Sequence, residues 1–514
     1  MTRPPRAMLR PLLVLVVLAG CSRQPAVVSP APLPSLPSQP VEPVARVWSP
    51  REEFVRFADS LVTQPAFRTA LWGVLVVDPE QGDTIYAHHA DKLFLPASNQ
   101  KLLTGAAALS VLGGGFQFQT TIATNGTVRR GVLHGDLLVS GDGDPSISGA
   151  LRGGDPLLAF DSLIAALRSR GVRRIDGQIQ SMQDALPGET VGFGWEVDDL
   201  DGGSGAAFDE LFFDEGVFDL AVIGGAKVGA PARVRRTPLD RYPPVTIRAT
   251  TVPRGSLPNA RRALDVRWDS TAHSVLVDGQ IAVGDSQSFD LAYRHPVDAW
   301  RAAATQAMRR AGIVVSGRTV PRRSARADTL VTLLSPPLTE VLRRMEKPSQ
   351  NQLAEILYRT VGRVQTGVGS ADSAQRVVER LLDEWGVARD HAAVRDGSGL
   401  SRHNYVTPTA LVRVLDVMRR RGDFPVFYEA LPIAGRDGTI ASRMKGTPAE
   451  GNVRAKTGSL DKARSLSGYV TMPDGRLLLF SMLCNNWTTP VREVERVQDA
   501  IAARLAVLRL DRRE

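Results

Sequence analysis

The chain has 514 residues, 43% apolar and 23% charged, which suits two or three globular domains and excludes a disordered chain. Its formal net charge is +9 and 56 of its 63 basic residues are arginine; no nucleic-acid-binding motif accompanies them, so the charge fits anionic cell-wall polymers or lipid headgroups, or composition alone. No run reaches the roughly 20 apolar residues that span a bilayer, and two cysteines, Cys21 and Cys484, exclude a disulfide-stapled scaffold.

Arg3, Arg6 and Arg10 precede a short apolar run, Leu12 to Ala19, the pattern of a secretion signal. The run closes in Leu18-Ala19-Gly20-Cys21, which resembles the lipobox of bacterial lipoproteins. That resemblance implies removal of residues 1–20, a lipid on Cys21, and an exported protein on the periplasmic or cell-envelope face. An ordinary signal peptide with a chance cysteine is the alternative. Loss of the three arginines brings the charge to +6. Residues 21–49, rich in Pro, Ser, Ala and Val, read as an extended tether.

From Pro50 to Pro65 the apolar spacing predicts an amphipathic helix. Leu71 to Val77 and Asp83 to His88 read as strands around a Pro-Glu-Gln-Gly turn, and Pro96-Ala97-Ser98 opens a helix that Gly113-Gly114-Gly115 stops. The middle, from about Phe116 to Ala325, alternates short strand-like runs with Gly-rich turns: 131–139, 172–180, 221–228 and 275–283. A helix over 296–312 and a strand over 313–320 follow. Helical patterns return at 337–361, 373–385 and 407–421, then a hairpin of 466–472 and 476–485 around Pro473-Asp474-Gly475, and a last helix over 491–508. Helices and an antiparallel sheet drawn from both chain ends predict one α/β domain with a long insertion.

Three short motifs carry chemistry. Ser98-Asn99-Gln100-Lys101 places a hydroxyl and an amine three residues apart, on one face of a helix. Such an amine activates the serine if burial or a neighbouring cation lowers its pKa. Ser442-Arg443-Met444-Lys445 and Ser459-Leu460-Asp461-Lys462 share the spacing, but Ser98 alone opens an apolar helix after a strand pair. Ser349-Gln350-Asn351 follows Pro348 at a helix break, where Ser349 with Gln352 also fits a capping box. Lys456-Thr457-Gly458-Ser459 lies in a strand-like stretch: Lys456 and Thr457 suit a carboxylate, and Gly458 would let a substrate backbone lie against the strand. Two of only seven lysines fall at Lys101 and Lys456, where an always-charged arginine could not deliver a free amine. His88-His89 fits a solvated strand end better than a metal pair, and Asp142 and Asp144 fit a turn better than a calcium loop.

Taken in order, S-x-x-K, S-x-N and K-T-G form one specific signature. With the words Gly141-Asp142-Gly143-Asp144-Pro145, Asp396-Gly397-Ser398-Gly399-Leu400-Ser401, Leu431-Pro432-Ile433-Ala434-Gly435 and Val453 to Leu460, the chain resembles the class C low-molecular-mass penicillin-binding proteins, the D-alanyl-D-alanine carboxypeptidase/endopeptidase family. Ser349 lies 251 positions after Ser98, more than a β-lactamase leaves there.

The resemblance implies an α/β penicillin-binding/β-lactamase-like transpeptidase domain, an antiparallel sheet flanked by helices, with two nested, mostly β accessory domains. By that pattern the catalytic domain covers 50–115 and 326–514, an outer accessory domain 116–139 and 213–325, and an inner one 140–212. Ser98 would attack the D-Ala-D-Ala carbonyl of a peptidoglycan stem peptide, Lys101 would take its proton, and Ser349 and Asn351 would relay protons and position the substrate. Lys456 and Thr457 would bind the terminal carboxylate, the N–H groups of Ser98 and Ser459 would form an oxyanion hole, and β-lactam antibiotics would acylate Ser98. No metal or organic cofactor is implied. Gln350 departs from the aspartate usual in the second motif. A β-lactamase-like hydrolase and a non-catalytic peptidoglycan-binding lipoprotein remain the competing readings.

Overall fold

The computed structural model describes residues 48–317 and 327–511. The signal sequence, Cys21 and the tether up to residue 47 lie outside the described residues, as does the end of the strand expected over 313–320.

The expected α/β architecture is present. Both chain ends build one five-stranded antiparallel sheet, in the order Asp83–His88, Leu71–Asp78, Leu477–Asn485, Ala463–Thr471, Arg454–Leu460. Its central strand, Leu477–Asn485, is buried on both faces, and its side chains alternate between two cores with the period of a strand. Leu478, Phe480, Met482 and Cys484 face one core with Phe54, Val62, Ile501 and Leu505 of the terminal helices Pro50–Val62 and Val491–Leu505. Leu479 and Leu483 face the other, packed by Leu102, Leu103, Leu342, Leu353 and Leu411 of the interior helices. Burying each such side chain contributes roughly 1.5–3 kcal/mol, so strand alternation and helix spacing together hold this frame.

The predicted helix starts hold for physical reasons visible at their caps. Ser49 and Glu52 form a reciprocal capping box that begins the first helix, with Phe54, Ala58 and Val62 buried one turn apart. The 337–361 pattern is split into Leu338–Glu346 and Asn351–Thr366, with Pro348 in the break.

Between Leu112 and Leu338 the chain leaves the sheet and returns, and its outgoing strand Gln119–Thr124 pairs antiparallel with the returning strand Asp328–Leu334. Several small sheets and the helix Pro296–Arg310 lie between, sharing a core around Ile122, Val139, Leu220, Val277 and Trp300. From residues 140–212, Phe160 and Leu163 join that core, whereas Leu186 and Phe208 pack with the interior helices. Several local expectations differ from what forms: 131–139 splits into Val132–His134 and Leu137–Gly141, and 172–180 into Arg174–Ile175 and Ile179–Ser181. The strand expected over 221–228 runs instead over Val217–Ile223, and at Gly224, just past its end, a Cβ would sit 2.1 Å from the Ala282 carbonyl. The helix Asp161–Ser169, unexpected in a strand-like stretch, buries Leu163, Ile164 and Leu167. The insertion is tied to the helix Leu338–Glu346 where Arg344 grips Glu215 bidentately at 2.5 and 2.7 Å.

Candidate active site

The turn before Ser98 is anchored to the sheet edge from two strands. Ser465 Oγ donates to the Pro96 carbonyl at 2.7 Å, and Asn99 Nδ2 donates to the Lys456 carbonyl at 2.9 Å. Ala97 is held at φ +49°, in the left-handed region that non-glycine residues avoid. Against it stands Gly399, itself at φ +84°, where a Cβ would fall 1.9 Å from the Ala97 carbonyl. Ser98 follows in a short 3-10 turn that leads into the helix Gln100–Leu112.

Lys101 is fully buried on that helix. Its Nζ lies 3.0 Å from Ser98 Oγ, 2.6 Å from Asn351 Oδ1 and 2.8 Å from the Ser398 carbonyl. Asn351 Nδ2 donates to the Ser204 carbonyl at 2.9 Å, which fixes the amide so that its oxygen faces Lys101. Two of the three partners of Nζ can therefore only accept. In the neutral amine they take both N–H bonds, and the lone pair is left pointing at the Ser98 hydroxyl. Burial pulls the Lys101 ammonium down to about 7, and positive Lys456 adds to this, while Glu346, Asp396 and Glu355 act the other way.

Lys456, also fully buried, donates to Ser349 Oγ at 2.7 Å and to the Thr457 carbonyl at 3.1 Å. Burial lowers its pKa and Glu346 opposes this. Thr457 Oγ1 donates to Thr439 Oγ1 at 2.6 Å. Ser98, Ser349, Asn351, Thr439, Thr457 and Ser459 line one cleft of about 200 Å³. It adjoins a wider one of about 570 Å³ bordered by Glu196, Asp199 and Arg402, with Arg402 Nε 2.5 Å from Glu196.

The three motifs, far apart in the chain, thus meet in one place. Gly458 has a reason inside the protein: a Cβ there would lie 2.1 Å from Ser465 Oγ and 2.4 Å from the Pro96 carbonyl, so only glycine lets the edge strand approach the nucleophile turn. The capping box at Ser349 does not form. Ser349 sits at φ +67° with its hydroxyl on Lys456, and Gln350 caps the next helix instead, its side-chain oxygen accepting from Leu353 N. Ser442, Lys445 and Lys462 of the two decoy spacings are exposed. Asp144 accepts from Ser146 N, a local turn bond, whereas Asp142 accepts from Gln119 N and pairs with Arg363 across the fold. The one group of acids among the described residues that could hold a metal, Asp184, Asp209 and Glu210, shares no residue with this site.

Ser204, Ser398 and Thr439 escaped sequence reasoning as functional residues. Ser204 and Ser398 contribute backbone carbonyls, which carry no sequence signal, and Thr439 lies in an unpatterned turn. Ser398 is held by Glu355, fully buried on the helix Asn351–Thr366, whose carboxylate accepts from Gly397 N and Ser398 N.

Known proteins match the chain over most of its length. The chain is 33% identical over 496 residues to a D-alanyl-D-alanine carboxypeptidase of an Actinomadura species, across 90% of this chain and 85% of the relative. Penicillin binding protein 4 (dacB) from Haemophilus influenzae superposes with a TM-score of 0.74 at 26% identity, over 88% of this chain and 99% of that one. The same protein complexed with a β-lactam superposes with a TM-score of 0.68, at the same identity and coverage. The family model for D-Ala-D-Ala carboxypeptidase 3 (S13) matches residues 56–508, and the chain belongs to that family.

Proposed function

We propose that the protein is a serine-type D-alanyl-D-alanine carboxypeptidase/endopeptidase that acts on peptidoglycan stem peptides through an acyl-enzyme and is acylated by β-lactams. The observation that carries this reading is the environment of Lys101 Nζ, with two obligate acceptors, Asn351 Oδ1 and the Ser398 carbonyl, and the Ser98 hydroxyl as third partner.

Ser98 Oγ attacks the peptide carbonyl as its proton passes to Lys101 Nζ. The N–H groups of Ser98 and Ser459 receive the developing oxyanion, while Lys456 and Thr457 hold the terminal carboxylate. The C–N bond breaks, the departing D-alanine amine takes a proton through Ser349, and water then hydrolyses the Ser98 ester with Lys101 as base again. A β-lactam opens on the same serine but keeps its amine tethered, so the adduct persists. The test is intact-protein mass after incubation with a fluorescent penicillin, followed by peptide mapping. One stable adduct on the Ser98 peptide, lost in Ser98→Ala and kept in Ser442→Ala and Ser459→Ala, supports the reading. No adduct on folded protein favours a binding lipoprotein, and rapid turnover of the drug favours a β-lactamase.

Export and lipid attachment at Cys21 belong to the same proposal and rest on the pattern from Arg3 to Cys21. Cys21→Ala should move the protein from the membrane fraction to the soluble one; unchanged fractionation would remove the anchor.

A further inference from the structure

Glu346 ends the helix Leu338–Glu346, three residues before Ser349. It is fully buried, and neither of its carboxylate oxygens has a hydrogen-bond partner among the described residues. The carboxyl packs against the nucleophile helix, where a Cβ on Gly105 would stand 3.0 Å from Glu346 Oε1. Gly105 lies one turn beyond Lys101 on the same helical face, so the glycine leaves the space that the carboxyl fills. A buried carboxylate that no protein donor reaches is held as an anion by positive charge facing it.

Burial pushes the Glu346 carboxyl up to about 7, and positive charge opposes this from two elements, Lys456 on the edge strand and Lys101 on the nucleophile helix, both without exposed surface. The other acids that face Lys101 are Asp396 and Glu355. Their oxygens are already engaged. Asp396 accepts from Gly399 N, Ser401 N, Asn404 Nδ2 and Trp195 Nε1, and Glu355 from Gly397 N and Ser398 N. Lys456 is faced by Glu346. When Lys456 is charged, Glu346 ionised and Lys101 a free amine, the buried trio is electrically neutral, and that is the distribution the chemistry requires. A second lysine proton would leave net positive charge among three fully buried side chains.

We propose that Glu346 is a positioning residue for acylation, the buried counter-charge that keeps Lys456 cationic while Lys101 remains a free amine. The inference rests on the Ser98–Lys101 reading above. Removing the carboxylate lets both lysines lose their protons at lower pH.

The test is the rate constant for acylation of the whole protein by a fluorescent penicillin, measured across pH for wild type, Glu346→Gln, Glu346→Leu and Glu346→Asp. Both neutral variants should move the acid and alkaline limbs about one pH unit toward acid, and Glu346→Asp should restore the wild-type limbs. A structural role would lower the rate at every pH without moving a limb. Superimposable limbs would overturn the proposal, as would loss of fold in both neutral variants. An adduct with unmoved limbs removes only Glu346 from the scheme, whereas no adduct in the wild type removes Ser98 itself.

Discussion

Lys456 Nζ donates to Ser349 Oγ at 2.7 Å, so the site contains two lysine–serine pairs joined by one short segment. Ser349 takes the hydrogen bond of Lys456, and Asn351, two residues on, takes that of Lys101. The left-handed backbone of Ser349 and the cap at Gln350 let neighbouring side chains serve two different lysines. A proton removed from Ser98 therefore has a compact set of groups through which to reach a leaving amine. Gln350 stays outside the chemistry: its amide caps a helix and donates to the Glu215 carbonyl at 3.3 Å, roles that need no carboxylate.

Lys101→Arg should lose acylation although it keeps the charge. A guanidinium does not give up its proton near neutral pH, so it supplies no lone pair to Ser98. General-base assistance is worth about 100-fold or more, and stopped-flow acylation with a fluorescent penicillin should show a loss of at least that size. A rate within about tenfold of wild type would remove Lys101 as the base.

Acylation should also fall on the acid side. In the proposed scheme Lys101 acts as the free amine, and burial brings its pKa down to about 7, so the active form dominates above that pH and is depleted below it. The rate should drop roughly tenfold per pH unit well below the midpoint. An acid limb near the ordinary carboxylate range would point to a carboxyl base.

Much of the frame was legible in the sequence because local rules and tertiary packing agree there. The helix expected over 50–65 forms over Pro50–Val62, and the hairpin around Pro473-Asp474-Gly475 forms with strands Ala463–Thr471 and Leu477–Asn485. The motif residues were legible for their chemistry, and folding brings them into contact. Their supports were not. Ser398 serves through its carbonyl, Gly458 is demanded by Pro96 across 362 residues of chain, and Ser349 forgoes a local cap for a distant lysine. Each choice is made by a partner far away in sequence, which periodicity and capping rules do not see. The short helix Asp161–Ser169 escaped for another reason: nine residues carry too few turns to stand out beside Gly-rich neighbours.

Gly458→Ala should separate the edge strand from the nucleophile turn. The new methyl would meet the Pro96 carbonyl at 2.4 Å, a backbone group that cannot swing aside. Overpacking of this kind costs about 1–3 kcal/mol, and the strain falls on the turn that aims Ser98. Chemical denaturation should show the loss, and acylation should fall more than stability alone explains. Wild-type acylation in a folded variant would mean that the turn tolerates the displacement.

Asp396→Ala should be among the most damaging substitutions outside the three motifs. The Asp396 carboxylate, only 1% exposed, accepts from Gly399 N at 2.7 Å, Ser401 N at 2.7 Å, Asn404 Nδ2 at 2.8 Å and Trp195 Nε1 at 3.0 Å. Three of these bonds shape the loop that presses Gly399 against Ala97 and presents the Ser398 carbonyl to Lys101; the fourth holds Trp195 of the inserted segment. Each buried donor left alone costs about 1–3 kcal/mol, so the melting temperature and the acylation rate should fall together. Arg402→Ala supplies the contrast. It breaks an ion pair whose partner, Glu196, is half exposed, and an exposed pair contributes about 1 kcal/mol or less, so its melting temperature should stay close to wild type. Equal melting temperatures for the two variants would show that the 396–401 loop is held by something other than its central carboxylate.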